Sequence, residues 1–473
     1  MNDWVDVNCF VTVGKSLLSG QVLYRDIYEQ KGPLLYFLYA FLSLISSKSF
    51  ISVFVLEVMS FSLYLYFSAK CAALHIKNER ILNGCIAVLA AMVASAKCFA
   101  HGGSVEQICL WMIPYSLYLI ESALHQHRRL SCRESLVIGI LCGISFYLKF
   151  TITSFFFGLS LFVAVWYIAF EKSARELIGI IAAFLAGVAL ISAPVIAYFA
   201  VHGAMEDFIT GYFFNNIFRY SLTSIVHTLI NYLAHLLDAF KNDTALWTIS
   251  TVGFVWLFLQ KENRKISLAF FLSFLFLSLT TMSASRAYSY YALIFAGFSI
   301  YGLIAAVRWL SDRLPAKNPT VCRFSHRIAR LITPLLIAGL LAMSYFLSGN
   351  TYLLHYEKDD LPQYQFASYI RRYKNPTLLN YGFLDGGFYF AADVLPQCKY
   401  FAKLNLDLPE MNEEQTRQIE EGLVDFVVAK NVPLEDCALD SSLYQLVMER
   451  PFYFEERIQT YYLYQKIGLP SGL

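Results

Sequence analysis

The sequence predicts an all-α, polytopic membrane protein that ends in a small α/β domain. Of its 473 residues, 57% are hydrophobic and only 15% are charged, and the mean hydropathy is +0.50. These values are far more apolar than those of an ordinary soluble domain. After Leu347 the composition becomes charged and polar, without any further long apolar stretch. We therefore expect a transmembrane domain over residues 1–348 and a soluble domain over residues 349–473.

Ten stretches of the first part are apolar enough to be transmembrane helices. A helix rises 1.5 Å per residue, so roughly 17–25 residues with few or no charges cross the hydrocarbon core. The predicted spans cover residues 51–68, 81–99, 107–124, 136–150, 154–170, 177–200, 245–259, 266–282, 290–307 and 328–347.

The basic residues between these spans predict which loops are cytoplasmic, because short cytoplasmic loops retain Lys and Arg. Alternate loops are basic, and their cations are Lys70, Lys77, Arg80, Arg128, Arg129, Arg133, Lys172, Arg175, Lys261, Arg264, Lys265, Arg308, Arg313, Lys317, Arg323 and Arg327. The intervening segments, at residues 101–106, near Thr151, and at residues 201–243 and 284–287, contain few cations. We therefore place these segments, both chain termini and the C-terminal domain on the extracytoplasmic side of a cell membrane.

Two further helices are predicted to lie in the membrane interface. Residues 33–46 are apolar and rich in aromatics, but counting them as a span would move every basic loop outside. Their length of about 14 residues suits a helix at the headgroup level; a short re-entrant or spanning helix is the alternative. They belong to an outer segment over residues 1–48. The outer loop over residues 201–243 contains the second such helix, at residues 224–240.

The N-terminal segment carries no cleavable signal peptide, because its charged residues leave no apolar core before residue 33. A segment that starts outside normally follows a helix that carries it across the membrane. We therefore expect one more span ahead of the first residue. The alternative is a protein whose N-terminus is outside and whose first visible span inserts it.

The C-terminal segment is predicted to be a small α/β domain. Its β-like runs are residues 377–381, 388–390, 426–429 and 461–464, and its helical patterns are residues 363–373 and 410–422. The ten cysteines of the chain lack metal-ligand spacing, so we assign no metal ligands to them. Cys398 and Cys437 both lie in this domain and can form a disulfide.

Charged residues are concentrated in the first outer segment, beside the predicted membrane surface. They include the carboxylates Asp3 and Asp6 and the cations Arg25 and Lys31. A transferase that uses a lipid-phosphate donor needs a base for the acceptor hydroxyl and cations for the leaving phosphate. A solvated outer loop is the alternative interpretation, since the spacing alone does not establish this chemistry.

The order of these residues resembles the GT-C glycosyltransferases that use polyprenyl-phosphate sugars, particularly the protein O-mannosyltransferase and lipid A aminoarabinose transferase branch. Asp6, Phe10 and Gly20 match that family's acidic residue, its aromatic residue four positions later and the glycine that ends the helix. Lys31-Gly32-Pro33-Leu34 resembles the Lys-Pro-Pro-Leu motif that opens an interfacial helix. The sequence departs from the pattern at Val7, where a second acidic residue is usual, and has one residue fewer before the glycine.

The resemblance implies a GT-C-like fold and an inverting sugar transfer. Asp6 would be the base that deprotonates the acceptor hydroxyl, and Asp3 is the second candidate. Lys31 would lie near the donor phosphate, with snorkelling to the interface as the alternative. Arg25 can assist it, because a guanidinium pairs bidentately with phosphate oxygens.

Other outer loops carry further candidates. Glu106 and His101 lie at the mouth of a span, where an ionisable residue is a functional candidate, and we assign both to substrate binding. A carboxylate at that place also suits the helix dipole. Arg286 is assigned to the donor phosphate and Tyr290 to the substrate, in a stretch that resembles an outer-loop motif of the family; an interfacial tyrosine belt is the alternative. Asn216 can contact sugar hydroxyls.

These features predict an integral membrane glycosyltransferase, transferring a hexosyl or pentosyl group from a polyprenyl-phosphate donor to an envelope glycan, a glycolipid or a protein. The alternative is a transporter or flippase of lipid-linked saccharides, which would show mid-span polar residues and internal repeats. A polymerase or ligase of cell-surface glycan is a third possibility.

Partners other than membrane lipids, the donor and the acceptor are not indicated. The net charge is only +2 and the topology accounts for the basic residues, so we expect no nucleic-acid binding. The sequence has neither a phosphate-binding loop nor a zinc-spaced histidine pair. No cofactor is assigned, although Asp3 and Asp6 together can hold a divalent metal.

Overall fold

The computed structural model of the chain describes residues 5–219, 225–260, 264–284, 286, 288–313, 334–349, 351–406, 408–454 and 457–470. It divides into two compact units. The first unit comprises Met1–Val55, Ala193–Leu222 and Leu353–Leu473, and the second comprises Leu56–Ser192 and Thr223–Tyr352. Each unit is therefore assembled from separated parts of the chain.

Helices make up most of the described chain, and one small sheet follows them. The helices are α1 (Val5–Leu18), α2 (Pro33–Ile45), α3 (Ile51–His75), α4 (Glu79–Ala94), α5 (Val105–Cys109), α6 (Met112–His125), α7 (Cys132–Leu148), α8 (Phe150–Val165), α9 (Ala174–Val201), α10 (Met205–Phe208), α11 (Ile225–Asn242), α12 (Thr244–Leu259), α13 (Arg264–Met282), α14 (Ile300–Arg313), α15 (Pro334–Leu347), α16 (Pro362–Ile370), α17 (Phe388–Ala392) and α18 (Pro409–Glu420). The strands are β1 (Leu378–Asn380), β2 (Phe426–Lys430), β3 (Tyr444–Phe454) and β4 (Arg457–Lys466). The predicted helical architecture with a small C-terminal sheet is confirmed.

Some of the predicted spans have the length and hydropathy of a membrane-crossing helix. In the described chain these are α3, α9, α13 and the continuous segment Phe150–Phe170, which begins with α8. The segment Ser289–Phe298 and α14 form a pair bent by 46° that adds a fifth if the two are one span. Several other predicted spans are interrupted; residues 107–124, for example, are divided between α5 and α6. The number of ten spans therefore stays a prediction.

The two helices predicted at the membrane interface are both present. Residues 33–46 correspond to α2, which has 13 residues, and residues 224–240 correspond to α11, which has 18. Pro33 is the first residue of α2, where its missing N–H costs no hydrogen bond and its fixed φ suits the helix. The placement of these helices in the interface stays a prediction.

Glycines allow the helices of the second unit to approach closely. A Cβ atom at Gly158 of α8 would overlap the backbone of Leu272 in α13, and one at Gly302 of α14 would overlap the backbone of Ile249 in α12. Small residues have the same role in other membrane helix pairs, where close backbone approach increases van der Waals contact. The packing of this unit therefore depends on the absence of side chains at these crossings.

The sheet of the first unit has the strand order β1-β2-β4-β3. β1 and β2 are parallel, whereas β4 is antiparallel to both β2 and β3. Its core contains Leu379, Val427 and Tyr464 from the strands and Ile419 from α18. Because α18 packs on the sheet through such residues, the C-terminal segment has its own hydrophobic core.

The predicted elements of the C-terminal segment are mostly confirmed. Residues 377–381, 426–429 and 461–464 correspond to β1, β2 and β4, and the two predicted helices correspond to α16 and α18. β3 was not anticipated; it is a largely exposed strand at the edge of the sheet and contains Pro451, so it lacks the pattern of a half-buried strand.

One prediction for this segment is wrong, and one possibility is not realised. The run at residues 388–390 is not a strand but the start of α17, because Gly387 takes a left-handed φ of 88° and turns the chain into a helix. Cys398 and Cys437 are both free, so they do not form the disulfide.

The C-terminal segment contacts α1 within the first unit. Oγ1 of Thr12 donates a hydrogen bond to Oδ2 of Asp385 over 2.5 Å. Nζ of Lys15 lies 2.6 Å from Oδ1 of Asp393. The predicted boundary at residue 348 stays a prediction, but residues far to either side of it share one compact unit.

Candidate active site

Asp6 lies in the first turn of α1, where a carboxylate interacts favourably with the positive end of the helix dipole. The helix forms here because Val7, Phe10 and Val13 repeat at helical spacing and are all buried. This packing keeps Asp6 close to the protein interior, with 13% of its side chain exposed.

Lys31 lies between two carboxylates, and we call Asp6, Glu29 and Lys31 the Asp6 group. Nζ of Lys31 is 3.6 Å from Oδ2 of Asp6 and 3.7 Å from Oε1 of Glu29. All three side chains are largely buried, so water screens these attractions less than it would at the surface. The structure therefore brings together the predicted base and the predicted phosphate-binding cation.

The charge of this group depends on Glu29. Burial raises the pKa of Glu29, and the nearby Lys31 opposes that effect. The group thus offers a carboxylate that can accept a proton, at Asp6, and an ammonium that can face an anionic oxygen, at Lys31.

The backbone of Lys31 is held from both sides by tyrosines. Its N–H donates to Oε2 of Glu29 over 2.9 Å and to the hydroxyl oxygen of Tyr36 over 3.1 Å. Its carbonyl oxygen accepts a hydrogen bond of 2.6 Å from the hydroxyl of Tyr24. These bonds fix the turn that precedes α2, so the position of the Lys31 side chain is set by buried neighbours.

Phe10 forms one wall of the Asp6 group. Its ring centroid is 5.7 Å from Nζ of Lys31, within the range of a cation–π interaction. The same ring packs edge-on against Tyr36 and Tyr39 of α2. The aromatic residue that follows Asp6 by four positions thus joins α1 to α2 and faces the lysine.

Arg25 lies outside the Asp6 group as far as its described contacts show. Its guanidinium is exposed and pairs with both carboxylate oxygens of Asp26, over 2.9 and 3.0 Å. It also donates to the carbonyl oxygen of His202 over 2.9 Å. The hydrogen bonds from Arg25 lower the pKa of Asp26. The assignment of Arg25 to a donor phosphate stays a prediction.

Asn216 contacts the segment that leads to Lys31. It lies in the π-helical segment Ile209–Arg219, and its amide nitrogen donates over 2.8 Å to the carbonyl oxygens of Gln30 and Tyr212. The neighbouring Asn215 donates to the hydroxyl of Tyr28 over 3.0 Å. The side-chain amides thus stabilise the loop before α2, and the contact of Asn216 with sugar hydroxyls stays a prediction.

A second cluster of predicted site residues lies in the second unit, and we call Glu106, Lys149, Tyr290 and Tyr291 the Lys149 group. Glu106 and Lys149 form a short ion pair and are both nearly buried. Nζ of Lys149 is 3.6 Å from the ring centroid of Tyr291 and 5.6 Å from that of Tyr290. The ring of His101 meets Tyr290 edge-on at 6.1 Å. Three residues assigned to the substrate, Glu106, His101 and Tyr290, are therefore neighbours.

Local backbone features place the ion pair of this group. Ser104 caps α5 by accepting a hydrogen bond of 3.1 Å from the N–H of Gln107, so Glu106 falls in the first helical turn. Lys149 has an extended backbone and separates α7 from α8. The break turns its ammonium towards Glu106 instead of leaving it on a continuous helix surface.

Arg286 and Asp3 complete the set of predicted site residues. Arg286 is exposed, and its role in binding phosphate stays a prediction. Asp3 lies outside the described residues. The predicted divalent metal between Asp3 and Asp6 is untested for the same reason.

The sequence did not identify all the residues that shape these groups. Glu29, Tyr24 and Tyr36 hold Lys31, yet none belongs to the motif of an acidic residue followed by Lys-Gly-Pro-Leu. Their closeness to Lys31 in the sequence could have identified two of them, because Glu29 precedes the lysine by two positions and Tyr36 follows it by five. In the second unit, the carboxylate of Glu57 lies beside Gly102. Glu57 could have been identified from the sequence as the lone charged residue within a predicted span.

Comparison with known proteins identifies the fold. No protein-family model and no protein of curated function matches the sequence. Two crystal structures of ArnT from Cupriavidus metallidurans match the structure, with TM-scores of 0.59 for the form bound to undecaprenyl phosphate and 0.63 for the apo form. Each match has 13% identity and covers 96% of this chain and 92% of ArnT. The chain therefore has the fold of ArnT, and the fold implied by the sequence resemblance is confirmed.

Proposed function

We propose that this protein is an integral membrane glycosyltransferase that transfers a sugar from a polyprenyl-phosphate-linked donor to a hydroxyl group on the extracytoplasmic side. The observation that carries the proposal is the Asp6 group, in which a carboxylate and an ammonium lie 3.6 Å apart in a nearly buried position. ArnT, which has the same fold, binds undecaprenyl phosphate in one of its crystal structures, and this supports a lipid-linked donor.

The proposed reaction is a single displacement. The acceptor oxygen attacks the anomeric carbon, the bond from that carbon to the phosphate oxygen breaks, and the acceptor proton passes to Asp6. Polyprenyl phosphate leaves with the bonding electrons, and Lys31 stabilises its negative charge. Attack from the face opposite the leaving group inverts the anomeric configuration. Asp3 is the second candidate for the base.

Glu29 is proposed to position Lys31 in this mechanism. Its carboxyl group contacts both the ammonium and the backbone N–H of the lysine. Burial raises the pKa of Glu29, which weakens its competition with the donor phosphate for the ammonium of Lys31. Arg25 and Arg286 are proposed to add positive charge for the donor at the membrane surface.

The Lys149 group is proposed to bind the acceptor or the sugar. Glu106 can accept hydrogen bonds from hydroxyl groups, and Tyr290 offers an aromatic face of the kind that packs against sugar rings. His101 and Asn216 are the other candidates. The acceptor is an envelope glycan, a glycolipid or a protein, and each offers the hydroxyl group that the reaction requires.

The test is transfer of radiolabelled sugar from polyprenyl phosphate in membranes that contain equal amounts of wild type, Asp6→Asn or Lys31→Ala. The isosteric Asp6→Asn removes the base and should lower transfer by about 10²- to 10⁴-fold. Lys31→Ala should lower it by about 10²- to 10³-fold, because the leaving phosphate loses its cation.

Asp207→Asn and Lys399→Ala are matched controls. These residues form a carboxylate–ammonium pair of the same 3.6 Å separation in the same unit, but they are more exposed and outside the Asp6 group. Both controls should transfer sugar at the wild-type rate. Full transfer by Asp6→Asn would remove the base assignment. If wild type transfers no sugar from any donor but moves a labelled lipid-linked saccharide across vesicle membranes, the transporter alternative is favoured instead.

A further inference from the structure

Glu121 is a buried carboxylate that the proposed reaction does not use. It lies in the last turn of α6 in the second unit, and 1% of its side chain is exposed. Nε2 of His75 is 2.6 Å from Oε1 of Glu121, and Nε2 of His125 is 3.8 Å from the same oxygen. The hydroxyl of Tyr301 donates to the other oxygen, Oε2, over 2.8 Å. One carboxylate oxygen thus faces two imidazole nitrogens.

Three helices bring these side chains together. Glu121 and His125 are four residues apart on α6, so they lie on the same face. His75 is the last residue of α3, and Tyr301 is near the start of α14. His75 comes from a distant part of the chain, so the sequence does not show the three ligands as one motif.

The spacing of the three side chains suits a metal ion. Nε2 of His125 is 3.8 Å from Oε1 of Glu121, farther than the 2.6 Å that separates Nε2 of His75 from the same oxygen. The donor atoms of His75, Glu121 and His125 all lie within 4.8 Å of one another. Around a tetrahedral zinc ion, with bonds of about 2.0–2.1 Å, ligand atoms are separated by about 3.4 Å. Side-chain movements of less than about 1 Å would bring the distances from His75 and His125 to Oε1 of Glu121 to this value.

We propose that His75, Glu121 and His125 form a binding site for a divalent transition-metal ion of the Zn²⁺ class. Two imidazole nitrogens and one carboxylate oxygen are a ligand set that suits Zn²⁺ and leaves a fourth position for water. This site is separate from the Asp6 group, and the proposal does not depend on the glycosyltransferase activity.

Contacts outside the ligand set fit a metal site. Tyr301 binds Oε2 and thereby directs Oε1 towards the imidazoles, in the way that outer partners orient metal ligands. Arg308 donates over 2.8 Å to the backbone carbonyl oxygen of His75 and so anchors the end of α3. The ring of Trp256 packs edge-on against His75 and limits its rotation.

A cavity of about 650 Å³ gives access to the cluster. Glu121 and His125 line it, and 39% of the His125 side chain is exposed. Four cations of the described chain also line the cavity: Arg128, Arg129, Arg264 and Lys265. Arg128 pairs with Glu134, Arg129 with Glu171 and Glu176, and Lys265 with Glu171. Because these ion pairs offset three of the four positive charges, the cavity is compatible with entry of a cation and with a bound water as the fourth ligand.

The test uses the full chain, purified in detergent, stripped with a chelator and then dialysed against micromolar Zn²⁺ at pH 7.5. Mass spectrometry of the metal content should find one Zn²⁺ per wild-type chain. His125→Gln and His75→Gln should each lower the affinity for Zn²⁺ by at least tenfold, and Tyr301→Phe by about 10- to 100-fold. His125→Cys should retain the ion, because a thiolate is also a zinc ligand.

His127→Gln is the matched control, because His127 lines the same cavity outside the proposed ligand set. It should bind Zn²⁺ as wild type does. A thermal melt gives an independent measure: Zn²⁺ should raise the melting temperature of wild type and of His127→Gln but not of His125→Gln. Because His125 is partly exposed, its replacement should leave the protein folded, which the melt without metal checks. The proposal is overturned if wild type binds no Zn²⁺, or if folded His125→Gln and His75→Gln bind it as tightly as wild type.

Discussion

Asp385 is fully buried in the first unit and connects the C-terminal segment to α1. It accepts hydrogen bonds from the hydroxyl of Thr12, from the side chain of Asn380 and from the N–H of Gly387. Burial raises the pKa of Asp385 to about 6, although these hydrogen bonds act in the opposite direction. Because Thr12 and Asp6 belong to one helix, we infer that Asp385 helps to position the candidate base.

The raised pKa of Asp385 predicts a pH dependence of stability. The ordinary pKa is 3.8, so folding favours the protonated form between about pH 4 and pH 6. The resulting stabilisation is complete below about pH 4 and is lost as the pH rises through about 6, by about 3 kcal/mol for two pKa units. We expect the melting temperature of Asp385→Asn to rise relative to that of wild type between pH 4.5 and 7.5, measured by thermal melts in detergent.

Asp393→Asn is the control for this series. Lys15 lowers the pKa of Asp393, so the stabilisation from that carboxylate is complete above about pH 4 and is lost only at lower pH. The variant should therefore melt below wild type by a nearly constant interval over the same range. A melting difference for Asp385→Asn that does not change with pH would contradict the prediction.

The sequence predicts the centre of the candidate site better than its surroundings. Asp6, Phe10 and Lys31 stand in a recognisable order along one short segment, and the structure brings all three together. Thr12 and Asp385 are 373 residues apart, and their contact depends on how the whole unit folds. A motif can show which residue types the chemistry needs, but not which distant side chains hold them.

The sequence predicts the presence of helices more accurately than the residues at which the helices break. Residues 136–150 and 154–170 were separated correctly into two helices, but Lys149 lies at the break itself and not at the end of a regular helix. Hydropathy is averaged over many residues, so it does not register a single extended residue. The Glu106–Lys149 ion pair explains the break in physical terms, because it gives a nearly buried ammonium a partner.

The crossing of α12 and α14 offers a test of packing between elements. Gly302→Ala would place a methyl group against the backbone of Ile249. We expect this overpacking to destabilise the protein by about 1–3 kcal/mol, because backbone atoms cannot rotate away as a side chain does. The check is a lower melting temperature for purified Gly302→Ala in detergent.

Gly84→Ala is the matched control, because a Cβ at Gly84 of α4 would meet no described atom within 4 Å. Alanine has the higher helix propensity, so the control should be neutral or stabilised by up to about 1 kcal/mol. If Gly302→Ala has the same melting temperature as wild type, α12 and α14 pack less closely than the structure indicates.

At the scale of the whole molecule, the sequence predicts the fold class because hydropathy is a property of the entire chain. The match to ArnT covers 96% of the chain, so the transmembrane helices and the C-terminal segment both belong to the shared fold. The division into two units could not be predicted in this way. Each unit combines segments from distant parts of the sequence, and only long-range contacts such as that of Thr12 with Asp385 reveal the combination.

The orientation of the chain in the membrane is the property on which the proposed site of reaction depends. Arg128 and Arg129 follow α6 in a predicted cytoplasmic loop, and in the structure they pair with Glu134, Glu171 and Glu176. These ion pairs should not weaken the topological signal, because Lys and Arg determine orientation and acidic residues contribute little. We therefore expect this loop inside and the C-terminus outside.

Epitope tags placed after His127 and at the C-terminus of the full chain test the orientation by protease treatment of sealed, right-side-out vesicles. The C-terminal tag should be removed at once, and the loop tag only after the vesicles are opened. A tag at the tip of the outer segment near residue 20 should behave like the C-terminal tag, because both lie in the first unit. If protease removes only the loop tag from sealed vesicles, the orientation is reversed. The Asp6 group would then face the cytoplasm, and transfer to an extracytoplasmic acceptor would be excluded.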